Sequence, residues 1–201
     1  MTTVAELPAG FADKVLSAQS VFRSVMDAMA RPGSIQRIAP TAGAPAVMMR
    51  GTAAMALTLF DHDTPIWLDN RMAATPDVAK WLKFHTSAPV TADSSIASFA
   101  LVGDPENLPS LDRFAFGSNE YPDRSTTLIL QVESLTGGPA VELEGPGIDV
   151  TAALRASIRP RDLFERLTIN ATLFPRGIDV VLVHDDAIVA IPRTTRLVKG
   201  G

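Results

Sequence analysis

The sequence contains no cysteine. Disulfides, thiol nucleophiles and iron–sulfur or zinc sites built on cysteine are therefore excluded for this chain. Lysine is scarce too, with only Lys14, Lys80, Lys83 and Lys199. A Schiff-base lysine sits desolvated in an apolar pocket. Lys80 and Lys83 instead fall on an amphipathic segment and are expected in solvent, so nothing marks a catalytic amine. No apolar run approaches the roughly 20 residues of a membrane-spanning helix. The opening stretch, "MTTVAELPAG", has neither the basic n-region nor the apolar h-region of a signal peptide. A cytoplasmic location is the expectation. Positive charge is outnumbered: 18 Lys and Arg stand against 22 Asp and Glu, a formal net charge of −4. Nucleic acid is a poor partner for such a chain, because binding a phosphate backbone wants a basic face. The G-x-S-x-G elbow, the Walker sequence and G-x-G-x-x-G are all missing.

What is present is an ordinary globular balance: 46% hydrophobic and 20% charged residues over 201 positions. That length suits one domain over 1–201, with a core that needs no staples. The clearest helix is predicted over 11–30, where Phe11, Val15, Ala18, Phe22, Val25 and Met29 recur at helical spacing opposite Asp13, Ser17, Ser20, Ser24 and Asp27. This stripe reads as core or partner-facing packing. Arg31-Pro32-Gly33 stops the helix. "SIQRIA" reads as a strand, "PAVMMRGTAAMALTLFD" as a helix of small residues, and "PIWLDN" as a buried strand. Pro76 opens a helix with Asp77 in its first turn. "SFALVGD" is a strand running into a long irregular loop over 103–125, with one helical turn expected within it. "TTLILQVESL", "GGPAVELEG" and "IDVTAAL" read as strands, Pro160 as the start of a helix, and "IDVVLV"–"HDD"–"AIVAI" as a hairpin. "IDVVLV" is apolar enough to be buried on both faces. The order of elements predicts an α/β three-layer sandwich, α/β/α, with a mixed sheet.

Two glycine turns invite a ligand reading. "ELEGPGIDV" (142–150) resembles a phosphate loop only loosely, because Pro146 has no amide to donate. The better reading is a tight connection that lets a neighbouring segment pass close by. "FPRGID" (174–179) ends a helix at Pro175, and Gly177 supplies the positive φ needed to enter a strand. It leaves Arg176 and Asp179 at the mouth of the sheet, to pair with each other or to face a ligand. "PRTTR" (192–196) adds Arg193, Thr194, Thr195 and Arg196, a combination that suits an anion, although a solvated chain end is the plainer reading. Among His62, His85 and His184 no pair has metal-ligand spacing, and no metal site is expected. His85 stands near a helix C-terminus, where the protonated ring is favoured. It has a structural and a site reading.

Taken in order, "FRSVMDAMARPGSI", "WLKFHTSAP", "YPDRSTTLILQVESL", "LEGPGID", "FPRGIDVVLV" and "IPRTTR" resemble the PhnH family of the bacterial carbon–phosphorus lyase system. Order and spacing, rather than any one motif, make the resemblance specific. It departs from the family pattern at Ser87, where glycine is expected. The resemblance implies a fold similar to pyridoxal-phosphate-dependent transferases without the cofactor. It also implies a homodimer, and partnership with PhnG, PhnI and PhnJ subunits in coupling a phosphonate to a nucleoside triphosphate. The expected role is a non-catalytic, accessory one. The alternative is an enzyme whose site lies at a homodimer interface and gathers Arg31, His85, Arg176, Asp179 and Arg193, with Thr194 and Thr195 beside them.

Overall fold

A computed structural model describes residues 7–38 and 43–198. The first helix, α1 (Lys14–Ala30), starts where Asp13 caps it by accepting from the Leu16 amide at 2.9 Å. After β1 (Gln36–Arg37) comes α2 (Arg50–Leu59), then β2 (Ile66–Leu68), a one-turn α3 (Asn70–Ala73), α4 (Pro76–Thr86) and β3 (Val90–Thr91). Strands β4 (Phe99–Val102) and β5 (Thr127–Gln131) flank the irregular loop, which holds three short 3-10 turns rather than one. β6 (Val141–Glu144) and β7 (Ala152–Leu154) enclose the Gly-Pro-Gly turn. The chain then forms α5 (Leu163–Ala171), the hairpin β8 (Asp179–His184) and β9 (Ala187–Ile191), and β10 (Arg196–Val198). Pro160 does not begin α5. It accepts from the Leu163 amide in a turn just ahead of the helix.

The seven-stranded main sheet has the order β1-β9-β8-β5-β4-β2-β3. β9 alone in it runs against the rest, because β8 and β1 both pair with it antiparallel while β3, β2, β4, β5 and β8 pair in parallel. The central strands are buried on both faces, with the period of two that a strand dictates. Val181 and Val183 of β8 face the helices, together with Leu101 and Ile129. Val180 and Leu182 face the other way, with Leu128 and Leu130.

Helices α1, α2 and α4 supply the first layer through Val21, Val25, Met55, Val78, Trp81 and Leu82. The small side chains at 51–56 are all buried and let α2 lie close to its neighbours. The second layer corrects the sandwich expected from sequence. It is a separate three-stranded sheet, β10-β6-β7, with α5, and Leu143, Leu154, Leu163 and Leu167 pack from it onto the main sheet. Alternation identifies a strand but not the sheet to which it belongs, so the sequence could not separate β6 and β7 from the main sheet.

The face of α1 also differs from the predicted stripe. Val21 and Ala28 are fully buried and Val25 nearly so, whereas Val15 is 65% and Phe22 51% exposed. Apolar residues cover more of this helix than one core can bury, so spacing alone could not choose the inward arc. No described helix is long and apolar enough to cross a membrane.

Candidate functional site

In an open parallel sheet, ligands gather at the carboxyl ends of the strands, where the strand order reverses. Here the chain leaves β2 for β3 at the sheet edge and returns to β4 on the opposite side of β2. The buried carboxylate of Asp69, just past β2, bridges the gap. It accepts from the amides of Met72 at 2.8 Å, Gly103 at 2.8 Å and Asp104 at 2.7 Å, which binds the end of β2 to the end of β4. At the end of β5, Gln131 reaches toward α2. Its Oε1 accepts from the Met49 amide at 2.6 Å and its Nε2 donates to the Val47 carbonyl at 3.0 Å. The entry to α2 is thereby pinned over the same sheet edge, and the Gly51 amide donates to the Asp185 carbonyl at 2.7 Å beyond β8.

Between these ties lies a crevice of about 500 Å³, a size that suits a small ligand. Three arginines line it: Arg50 at the start of α2, Arg71 on α3, and Arg159 from the segment before α5. Arg71 donates from Nη1 to the Gly103 carbonyl at 3.1 Å. Arg159 reaches Glu133 at 3.5 Å and Glu106 at 3.8 Å, and all three of these side chains are mostly in solvent. Among the described residues Arg50 has no ion-pair partner. Sequence reading singled out none of these arginines. The available signal was their place just past the carboxyl ends of apolar runs: "IWLDNR" for Arg71 and the start of a small-residue helix for Arg50.

The residues predicted from sequence fall elsewhere. Asp179, Arg193, Thr194 and Thr195 come together at the opposite, amino-terminal end of β8. Arg193 is no solvated chain end. Its amide and Nε donate to Asp179 Oδ1 at 2.8 and 3.1 Å, and its Nη2 pairs with Asp179 Oδ2. Nη1 donates to the Pro122 carbonyl at 2.6 Å and Nη2 to Ser125 Oγ at 2.5 Å. Asp179 thus pairs with Arg193, and Arg176 is exposed. Thr195 is buried with a hydroxyl that has no partner among the described residues, while Thr194 is half-buried. A shallow, mostly apolar hollow, lined by Asp179, Arg193 and Thr194 with Phe174, Pro175 and Pro192, opens beside the pair.

Arg31 and His85 do not line that hollow. Arg31 ends α1 and forms an exposed i, i+4 ion pair with Asp27 at 3.0 Å. His85 lies against Trp81, its Nε2 3.1 Å from the Pro8 carbonyl. The Trp81 indole donates to the same carbonyl at 2.8 Å. Two rings on α4 therefore hold the segment that leads into α1.

The Gly-Pro-Gly turn is a close approach, as the sequence suggested. Gly147 takes φ +83°, and a Cβ there would stand 2.0 Å from the Ala30 carbonyl oxygen at the end of α1. Gly177 takes φ +128° on the way into β8. Just behind it the Asn170 side chain closes a reciprocal pair with Ile178, accepting at 2.8 Å and donating at 2.9 Å.

A family model described as bacterial phosphonate metabolism protein (PhnH) matches residues 9–198. The chain is 43% identical over 198 residues to the alpha-D-ribose 1-methylphosphonate 5-triphosphate synthase subunit PhnH of Rhizobium meliloti (strain 1021), with 98% of each chain covered. It is 31% identical over 201 residues to HtxG of Stutzerimonas stutzeri, a candidate C-P lyase subunit, covering 98% of this chain and 95% of the relative. With order, spacing and near-complete coverage in agreement, the chain belongs to the PhnH family of bacterial phosphonate metabolism proteins.

Proposed function

We propose that this chain is an accessory subunit of a carbon–phosphorus lyase assembly and serves the formation of a ribose methylphosphonate triphosphate. The observation that carries the reading is the 43% identity to a synthase subunit across 98% of both chains. The proposed partners are a second copy of this chain and subunits of the PhnG, PhnI and PhnJ types, in the cytoplasm. The exposed apolar side of α1, with Val15, Leu16, Phe22 and Met26, supports a protein contact there, because interface cores favour aromatic residues and methionine. The irregular 103–125 loop is the second contact surface in this reading. A resemblance to the pyridoxal-phosphate-dependent transferase architecture belongs to the same proposal. It draws support from a seven-stranded sheet in which only β9 is antiparallel.

The alternative, an active site at a homodimer interface, draws on Arg31 and Arg176, whose side chains stand in solvent. Arg193 could join such a site only by releasing Asp179, Ser125 and Pro122, so the accessory reading is preferred. Growth tests the function. A host lacking its own PhnH-type gene should regain growth on methylphosphonate as sole phosphorus source when it carries this chain. No growth, with the chain expressed and folded, would reject the reading.

A further inference from the structure

The crevice at the carboxyl edge of the main sheet has a charge pattern that selects among ligands. Arg50, Arg71 and Arg159 share its walls with Asp104, Glu106, Glu133 and Asp185. Four acidic residues against three arginines make a poor receptor for a bare polyanion. They suit a molecule with an anionic group at one end and hydroxyl donors at the other. Guanidinium groups take phosphate in a bidentate fork, and ionised carboxylates act as acceptors, as a sugar hydroxyl requires.

Arg159 is placed for the exchange that binding would need. Its contacts with Glu133 at 3.5 Å and Glu106 at 3.8 Å are long and solvated, and ion pairs of that kind contribute little. A phosphate that draws Arg159 away frees both carboxylates to accept hydroxyl groups. Arg71 is held in place through one nitrogen by Gly103, so its fork is positioned before a ligand arrives. The floor is rigid, since Asp69 and Gln131 tie β2, β4, β5 and the entry to α2 together. Such ties reduce the ordering cost of binding.

We propose that this crevice binds a phosphorylated sugar, with phosphate on Arg50, Arg71 and Arg159 and sugar hydroxyls on the neighbouring carboxylates. The choice of a pentose rests on the function proposed above; the charge pattern does not. A nucleotide and a simple sugar phosphate share this chemistry, and the test separates them. The full chain is titrated calorimetrically with ATP, ribose 5-phosphate and inorganic triphosphate. Saturable binding is expected for at least one sugar-bearing ligand, and inorganic triphosphate should bind more weakly than it. The tighter of ATP and ribose 5-phosphate identifies the source. Arg50→Gln and Arg159→Gln, which alter exposed side chains, should each weaken binding about tenfold, the size of one charge-assisted contact. The inference is overturned if neither sugar ligand saturates at millimolar concentration, if inorganic triphosphate binds as tightly, or if both variants bind like wild type. Growth complementation by the wild-type chain is scored separately. A chain that restores growth but binds no sugar phosphate rejects the crevice and leaves the subunit role intact.

Discussion

Arg193 closes on the carboxylate of Asp179, the first residue of β8, so the chain leaving β9 is tied back to the point where the hairpin began. The two side chains are 14% and 13% exposed, and the guanidinium also holds the 122–125 turn. Removing one partner would leave the other charged and poorly solvated. Arg193→Met and Asp179→Leu should each cost about 3 kcal/mol in urea unfolding, and the double variant should recover part of that loss. Singles within about 0.5 kcal/mol of wild type would show that the pair is incidental.

Ser87 ends α4 at φ +62°, in the left-handed region that favours glycine. This is also the position at which the resemblance read from sequence expects glycine. Ser87→Gly should raise stability by about 0.5–1 kcal/mol, as relief at a helix end outweighs the added freedom of the unfolded chain. Thermal unfolding measures it, and a lowered midpoint would contradict the account of this cap.

Gly147 leaves no room for a side chain against the end of α1. Gly147→Ala combines a strained φ with a backbone clash. It should cost more than about 2 kcal/mol, from the penalties of a mismatched backbone and of overpacking. Wild-type stability would show that the turn does not hold the three-stranded sheet against α1.

Phe22 on α1 is 51% exposed, so Phe22→Glu should change unfolding stability by less than about 0.5 kcal/mol. It should nevertheless reduce recovery of this chain with its partners in affinity purification. Unchanged recovery would remove this face of α1 from the proposed contacts.

The elements with a strong local signature were legible in the sequence. Pro76 and Asp77 announce α4, and the apolar run 178–183 with its turn announces the hairpin, because these signals act within a few residues. The Gly-Pro-Gly turn was legible for the same reason: Pro146 removes a donor wherever the chain folds. The candidate site was much less so. Asp69 meets Gly103 across 34 positions, Gln131 meets Met49 across 82, and Arg193 meets Pro122 across 71. Which polar side chain answers which is decided by strand order, and no local pattern encodes it. The arginines of the crevice were missed because each stands alone in the sequence, and only the parallel sheet brings their segments to one edge. The inward arc of α1 was misread because both of its apolar sides satisfy helical spacing.

This chain is proposed to work as a PhnH-type subunit of a larger assembly. The most direct test of that claim is co-expression of the tagged chain with PhnG-, PhnI- and PhnJ-type subunits, followed by affinity purification and mass measurement of the eluted complex. A stable complex containing this chain with the other subunits is expected. Elution of the chain alone, with the remaining subunits assembled without it, would contradict the claim.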